Sequence, residues 1–210
     1  PRQAEWFQAN LGYYVVLALV ILALIFFAQL SSARGWFAWT YWRQHRGALL
    51  LVAAGTLFLH LHEPHMLRVF YDEPTHALVA LSMHLDKSAM GATVSNYLGE
   101  AFVTGDPYAV ARPYLFPLLV SVLHDLTGYR VANVFVLNVL LTPLVLLGAY
   151  LLAHKLGGRL AGYIATALLV TFPLLAQNAT GGGYDVLNLA LVAALTLVTL
   201  AYFTSEESAR

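Results

Sequence analysis

The chain contains no cysteine. Disulfides, thiolate metal sites and a cysteine nucleophile are therefore excluded. Charge is nearly as scarce. Asp, Glu, Lys and Arg make up 10% of the 210 residues, against about 25% in soluble domains. Eleven acids balance eleven Lys and Arg, so no net field draws the chain to nucleic acid. Disorder needs low hydrophobicity and high charge, and is excluded by the same figures. What is abundant is apolar surface: 60% of residues are hydrophobic and the mean hydropathy is +0.68. That is the composition of an all-α polytopic membrane protein.

A spanning helix needs about 20 apolar residues at 1.5 Å each to cover a core of about 30 Å. Leu11 to Leu30 carries no charge and only one strongly polar residue, Gln29. It is too long for a signal-peptide core and reads as a retained helix. Further apolar runs cover Gly47 to Leu61, Val131 to Ala153, Leu160 to Leu175 and Val186 to Phe203. Gly157-Gly158 and Gly181-Gly182-Gly183 separate the last three. Leu115 to Leu126 is apolar but short, and holds His124 and Asp125; it reads as interfacial.

Five spans put Arg34, Arg43, Arg46, Lys155, Arg159 and Arg210 on one side, which the positive-inside rule makes cytoplasmic. Nine of the eleven acids then share the other side: Glu5, Glu63, Asp72, Glu73, Asp86, Glu100, Asp106, Asp125 and Asp185. A sixth span at Leu115–Leu126 would divide Asp72 from Asp185. The reading is thus an inner- or plasma-membrane protein in three parts. Residues 1–46 form an N-terminal span and an aromatic and basic cytoplasmic loop with Trp36, Trp39, Tyr41 and Trp42. Residues 47–203 form a core with an external loop at 62–130. Residues 204–210 form a polar cytoplasmic tail.

A loop of that length between helices usually carries function. Within it, Pro74 to Met90 reads as a surface helix, capped by Asp72 and buried along Leu78, Leu81 and Leu85. Gly105-Asp106-Pro107-Tyr108 reads as a turn. Tyr71-Asp72-Glu73-Pro74 follows a membrane helix. About 40 residues later comes Arg112-Pro113, with Pro117 beyond it, then an apolar stretch closing in Leu126-Thr127-Gly128. A spanning run ending Ala153-His154-Lys155-Leu156-Gly157-Gly158 comes next, then Ala161-Gly162, Pro173 and Asp185 at the head of a helix.

That order resembles the N-terminal half of the GT-C glycosyltransferases, membrane enzymes similar to the protein O-mannosyltransferases and the aminoarabinose transferases. The resemblance covers about residues 47–203. It implies a sugar transferase working on the external or periplasmic face with a polyprenyl-phosphate-linked donor. It implies the Asp72–Glu73 pair as catalytic base, or as ligands of a divalent Mg or Mn ion. It implies Arg112, Asp185 and His76 around the donor phosphate. Ala111 and Tyr114 depart from relatives that carry an acid and a second proline at those positions. The partners implied are a lipid-linked sugar, bilayer lipids and other membrane subunits.

Plainer readings remain open for each of these residues. Asp72 and Glu73 suit a helix N-terminus. Arg112 suits an interfacial arginine, and Asp185 a helix cap. His60, His62 and His65 lack a diagnostic metal spacing and suit an interface. Five spans are also fewer than such enzymes carry. Three expectations follow: part of a longer enzyme, half of a two-chain enzyme, or a reduced relative serving as a non-catalytic subunit.

Overall fold

In the computed structural model the described residues are 2–33, 39–68, 72–98, 101–108 and 110–207. Helices dominate. Among the described residues, three are long and apolar enough to cross a membrane: Gln3–Gln29, Asn133–Val170 and Asp185–Phe203. Two shorter apolar helices, Arg46–His62 and Leu115–Thr127, accompany them. The chain divides into two compact units, Pro1–Ala38 with Leu67–Val134, and Trp39–Met66 with Phe135–Arg210.

The first unit opens with α1 (Arg2–Phe7), a π turn at Gln8–Gly12, and α2 (Tyr13–Ala33). The wider turn coincides with a tertiary bond: the Gln8 carbonyl accepts from the Ala89 amide at 3.1 Å. Gly12 permits this approach, since a Cβ there would sit 2.9 Å from that of Ala89. The early part of α2 then covers a small core of Tyr13, Val79, Met83, Ala89, Val110 and Leu118, with Val16 and Val20 at its edge.

The same unit holds α5 (Asp72–Leu85) and α6 (Leu115–Thr127). At 13 residues α6 is about 20 Å long, too short to span. The contacts between α5 and α6 keep a nearly constant sequence offset. Asp72 meets Arg112, His76 meets Phe116, and His84 meets His124 and Asp125. An antiparallel pair would keep a constant sum, so these helices run parallel.

Two expectations for this region are corrected. The buried side of α5 is Glu73, Thr75, His76, Val79 to Met83, while Leu85 is exposed; the stripe through Leu85 is not the one that packs. Three neighbours, α2, α6 and the following loop, cover the helix, so a single amphipathic stripe does not describe it. Between α5 and α6 lies a hairpin of β1 (Gly91–Leu98) and β2 (Ala101–Tyr108), antiparallel, with Gly91 opposite Tyr108 and Leu98 opposite Ala101. Gly105 to Tyr108 therefore lie in a strand, not a turn. The Val, Thr, Tyr and Phe content of 92–104 favours strand, and Pro107 is tolerated because both strands of a two-stranded ribbon are edges.

The second unit holds α3 (Trp39–Gln44), α4 (Arg46–His62), α7 (Asn133–Val170), α8 (Pro173–Thr180) and α9 (Asp185–Glu207). Inside α7, Gly158 leaves helical geometry with φ 79°, which glycine adopts at no steric cost. The chain reverses there. Tyr150 and Tyr163 would lie about 20 Å apart along a straight helix, yet their rings are 5.5 Å apart. A Cβ on Gly162 would lie 2.8 Å from the Tyr150 ring. The expected break at Gly157-Gly158 is therefore real, and it divides α7 into arms 133–157 and 159–170. The second arm stops before Pro173, which opens α8.

Against the first arm, α4 pairs His45 with Tyr150, Gly55 with Leu146 and His60 with Thr142. The falling numbers make the two antiparallel. The bases Arg43, Arg46, Lys155 and Arg159 thus collect at one pole of this unit, and Glu63 and Asp185 belong to the other end.

Candidate functional site

The start of the parallel helix pair gathers the polar residues singled out in the sequence. Asp72 opens α5, and Arg112 lies three residues before α6. The Arg112 guanidinium donates to Asp72 Oδ1, with the two side chains 38% and 34% exposed. A carboxylate and a guanidinium 40 residues apart in sequence thus meet at one place, each partly exposed. Glu73 points elsewhere. It is buried, and its Oε2 accepts the Arg68 amide at 2.5 Å, which fixes the chain entering α5. His76, one turn on, is fully buried, with its ring centroid 5.9 Å from that of Phe116 in an edge-to-face arrangement. Tyr71, which precedes the pair, lies outside the described residues.

A metal does not fit these groups. Among the described residues, no three His, Asp or Glu side chains cluster in a way that would hold an ion. Asp72 is engaged by a cation already and Glu73 by a backbone amide. His60 and His65 come together at the end of α4, but His62 does not join them. His60 Nδ1 lies 3.1 Å from His65 Nε2, and His60 Nε2 lies 3.1 Å from Thr142 Oγ1. His62 instead stacks on Phe58 at 5.2 Å.

Asp185 belongs to the second unit. It is exposed in the first turn of α9 and lines a cleft of about 340 Å³. Asn178 and Asn188 also line it, with apolar residues that include Leu169, Phe172, Leu189 and Val192. Asn138, not singled out in the sequence, is fully buried in the first arm of α7 and pins the loop before Asp185. Its amide donates to the carbonyls of Gly181 at 2.8 Å and Gly183 at 3.0 Å. An asparagine inside an otherwise apolar span was the available signal, because polar groups at such positions need a protein partner.

A second polar group, at the far end of the helix pair, was also missed. His84 Nδ1 lies 2.6 Å from Asp125 Oδ1, and Lys87 Nζ donates to both Asp125 oxygens at 3.2 and 3.1 Å. Behind them, His124 Nδ1 lies 2.8 Å from Asn133 Nδ2. Burial opposes charge on Asp125, but bonds from His84 and Lys87 outweigh it and hold the carboxyl below its ordinary value. Burial, and then His84, push the His124 imidazole below its ordinary value against the opposing pull of Asp125.

Fold and composition define a helical protein with the apolar helices of a membrane protein. Compared with known proteins, the chain matches no family model, no curated protein and no solved structure.

Proposed function

We propose that this chain is a multi-pass membrane protein that transfers a sugar from a polyprenyl-phosphate donor, on a GT-C-like scaffold, with residues 62–130 on the external face. The observation that carries the reading is the meeting of Asp72 and Arg112. In the reaction, an acceptor hydroxyl or amide forms a bond to the anomeric carbon as the bond to the phosphate oxygen breaks. The acceptor proton passes to the Asp72 carboxylate. The electron pair leaves with the phosphate, whose charge the Arg112 guanidinium stabilises in bidentate geometry. A donor phosphate competes with Asp72 for the same guanidinium, so donor binding frees the carboxylate for the acceptor. No step requires a metal.

The crossing pattern is part of the proposal: α2, α4, the first arm of α7, the second arm carried on through the apolar run to Leu175 in α8, and α9 give five crossings. The collection of Arg43, Arg46, Lys155 and Arg159 at one pole of the second unit supports it. Cysteine labelling of intact cells tests it without background, since no native cysteine exists. Position 155 should label only from the cytoplasmic side and position 112 only from outside.

Transfer is tested with the full chain in membranes and a radiolabelled polyprenyl-phosphate sugar. Asp72→Asn should abolish transfer while the protein remains folded. Arg112→Ala should weaken donor use more than acceptor use. A second reading, a non-catalytic accessory subunit, draws on the fact that Asp72 and Arg112 already satisfy each other and Glu73 is buried. It requires Asp72→Asn to leave transfer unchanged and to impair assembly with a partner chain.

A further inference from the structure

The reversal of α7 and the start of α4 form a basic platform that the transfer chemistry does not use. The Gln44 carbonyl accepts from Arg159 at 3.5 Å, and His45 Nδ1 lies 3.1 Å from the Tyr150 hydroxyl. A Cβ on Gly47 would lie 2.5 Å from the Tyr163 hydroxyl. These contacts bring residues 43–47 against residues 150–163. Arg43, Arg46, Lys155 and Arg159 are all exposed there. Among the described residues none of the four forms an ion pair. No acid occurs in 39–47 or 150–163. The acids that end α9, Glu206 and Glu207, have side chains outside the described residues.

The crowding of positive charge is felt locally. Burial, then neighbouring His154 and Arg159, push the His45 imidazole below its ordinary value. Such a concentration of cations, with no carboxylate among the described side chains beside it, costs stability through self-repulsion unless an anion covers it.

We infer that Arg43, Arg46, Lys155 and Arg159 form a binding site for the phosphate headgroup of an anionic phospholipid. The occupant is a lipid because the platform caps apolar helices. The first arm of α7 continues from it into a spanning segment, and Trp42 beside Arg43 suits the headgroup level. A phospholipid fitted here keeps its acyl chains along those helices and its phosphate among the four cations. The inference rests on the spanning reading alone, and its readout is independent of sugar transfer.

The test uses the full chain reconstituted in bilayers of phosphatidylcholine containing one quarter phosphatidylglycerol, then extracted in mild detergent. The retained lipids are counted by mass spectrometry. The wild-type chain should retain phosphatidylglycerol well above its share of the bilayer. Each cation near an anionic surface is worth about fivefold in affinity, so Arg159→Gln should lower the enrichment about fivefold. The combined Arg43→Gln, Arg46→Gln, Lys155→Gln, Arg159→Gln chain should lose it. Replacing the three arginines by lysine should keep it, and so should Arg130→Gln, which removes an exposed cation elsewhere. High salt should reduce the enrichment of the wild type. If the combined variant does not fold, Arg159→Gln and the lysine variant decide the matter. Retention in proportion to bilayer composition, or equal losses for Arg159→Gln and Arg130→Gln, would overturn the inference.

Discussion

Lys87 is the one described non-glycine residue with positive φ, at 53°. It follows the end of α5, where the Ser88 amide reaches back to the Ser82 carbonyl at 3.5 Å. That is the wrapping of a helix C-terminus around a left-handed residue, a position glycine usually fills. A side chain there costs about 1–2 kcal/mol. Against that cost stand the two bonds to Asp125, a bond to the His84 carbonyl at 3.1 Å and the approach of Nζ to the Tyr13 ring at 5.3 Å. Lys87 and Asp125 are 35% and 37% exposed, so solvent screening limits the ion pair to about 0.2–1 kcal/mol. The ring contact adds about 0.5 kcal/mol at an exposed site. The opposing effects nearly cancel. Lys87→Gly removes all of these contacts together with the backbone cost and should change stability by less than about 1 kcal/mol. Lys87→Ala keeps the backbone cost and loses the contacts, and should fall below Lys87→Gly by about 1 kcal/mol. Thermal unfolding of the three proteins in one detergent, followed by tryptophan fluorescence, measures both differences. Equal midpoints for the alanine and glycine proteins would refute the left-handed conformation. A loss of several kcal/mol in Lys87→Gly would refute the screened estimate for the pair.

The pH dependence of the first unit has a definite sign. His124 has a folded pKa below its ordinary value, so the unfolded chain binds more protons just below pH 6.5 and stability falls as the pH drops through that region. Asp125, also held low, contributes stability above the ordinary carboxylate range that is lost on further acidification. His124→Gln should flatten the first of these slopes, which cannot exceed about 1.4 kcal/mol per pH unit for one group, and leave the second; unfolding midpoints from pH 4 to 8 check it. Gly55→Val should destabilise the second unit by about 1–3 kcal/mol, because a Cβ there already meets Val170 Cγ2 at 2.5 Å. Chemical unfolding in micelles measures the loss, and a neutral result would mean that α4 does not approach α7 this closely.

The long apolar helices were legible because their signal is composition over about 20 residues, which needs no partner to interpret. The break at Gly157-Gly158 was legible because two glycines in an apolar run have few other uses. Limits appeared where several neighbours share one helix. The stripe through Leu78, Leu81 and Leu85 assumes one buried face, but α5 is covered on several sides. The hairpin was missed because Gly105, Asp106 and Pro107 are strong turn residues, and local propensity outvoted the strand pattern around them. At the site, the residue types at 72 and 112 were readable, whereas their meeting was not. Asn138 and the group around Asp125 escaped notice because their partners lie 38–45 residues away, beyond any local pattern.

The encounter of Asp72 with Arg112 depends on the connection between the helices. For parallel neighbours, the chain must return the length of α5, about 20 Å for 14 residues. Residues 91–108 do not make that return. Gly91 pairs with Tyr108, and paired strand residues lie about 4.5–5.5 Å apart, so the hairpin leaves and re-enters at nearly one place. The return falls to 86–90 and 109–114, eleven residues that reach about 36 Å when extended. Their anchors are the Ala89 amide on Gln8, and Val110 in the small core with Tyr114 donating to its carbonyl at 2.6 Å. Excising 92–107 and closing the gap with two glycines should therefore keep α5 and α6 parallel. The unfolding midpoint should stay within a few degrees, because the change in loop-closure entropy is under about 1 kcal/mol. The stability effects of Asp72→Asn and Arg112→Gln should remain non-additive in the shortened chain, as expected for residues in contact. Additive effects there, beside non-additive ones in the full chain, would show that the hairpin itself directs the crossover and that the eleven flanking residues cannot bring the pair together.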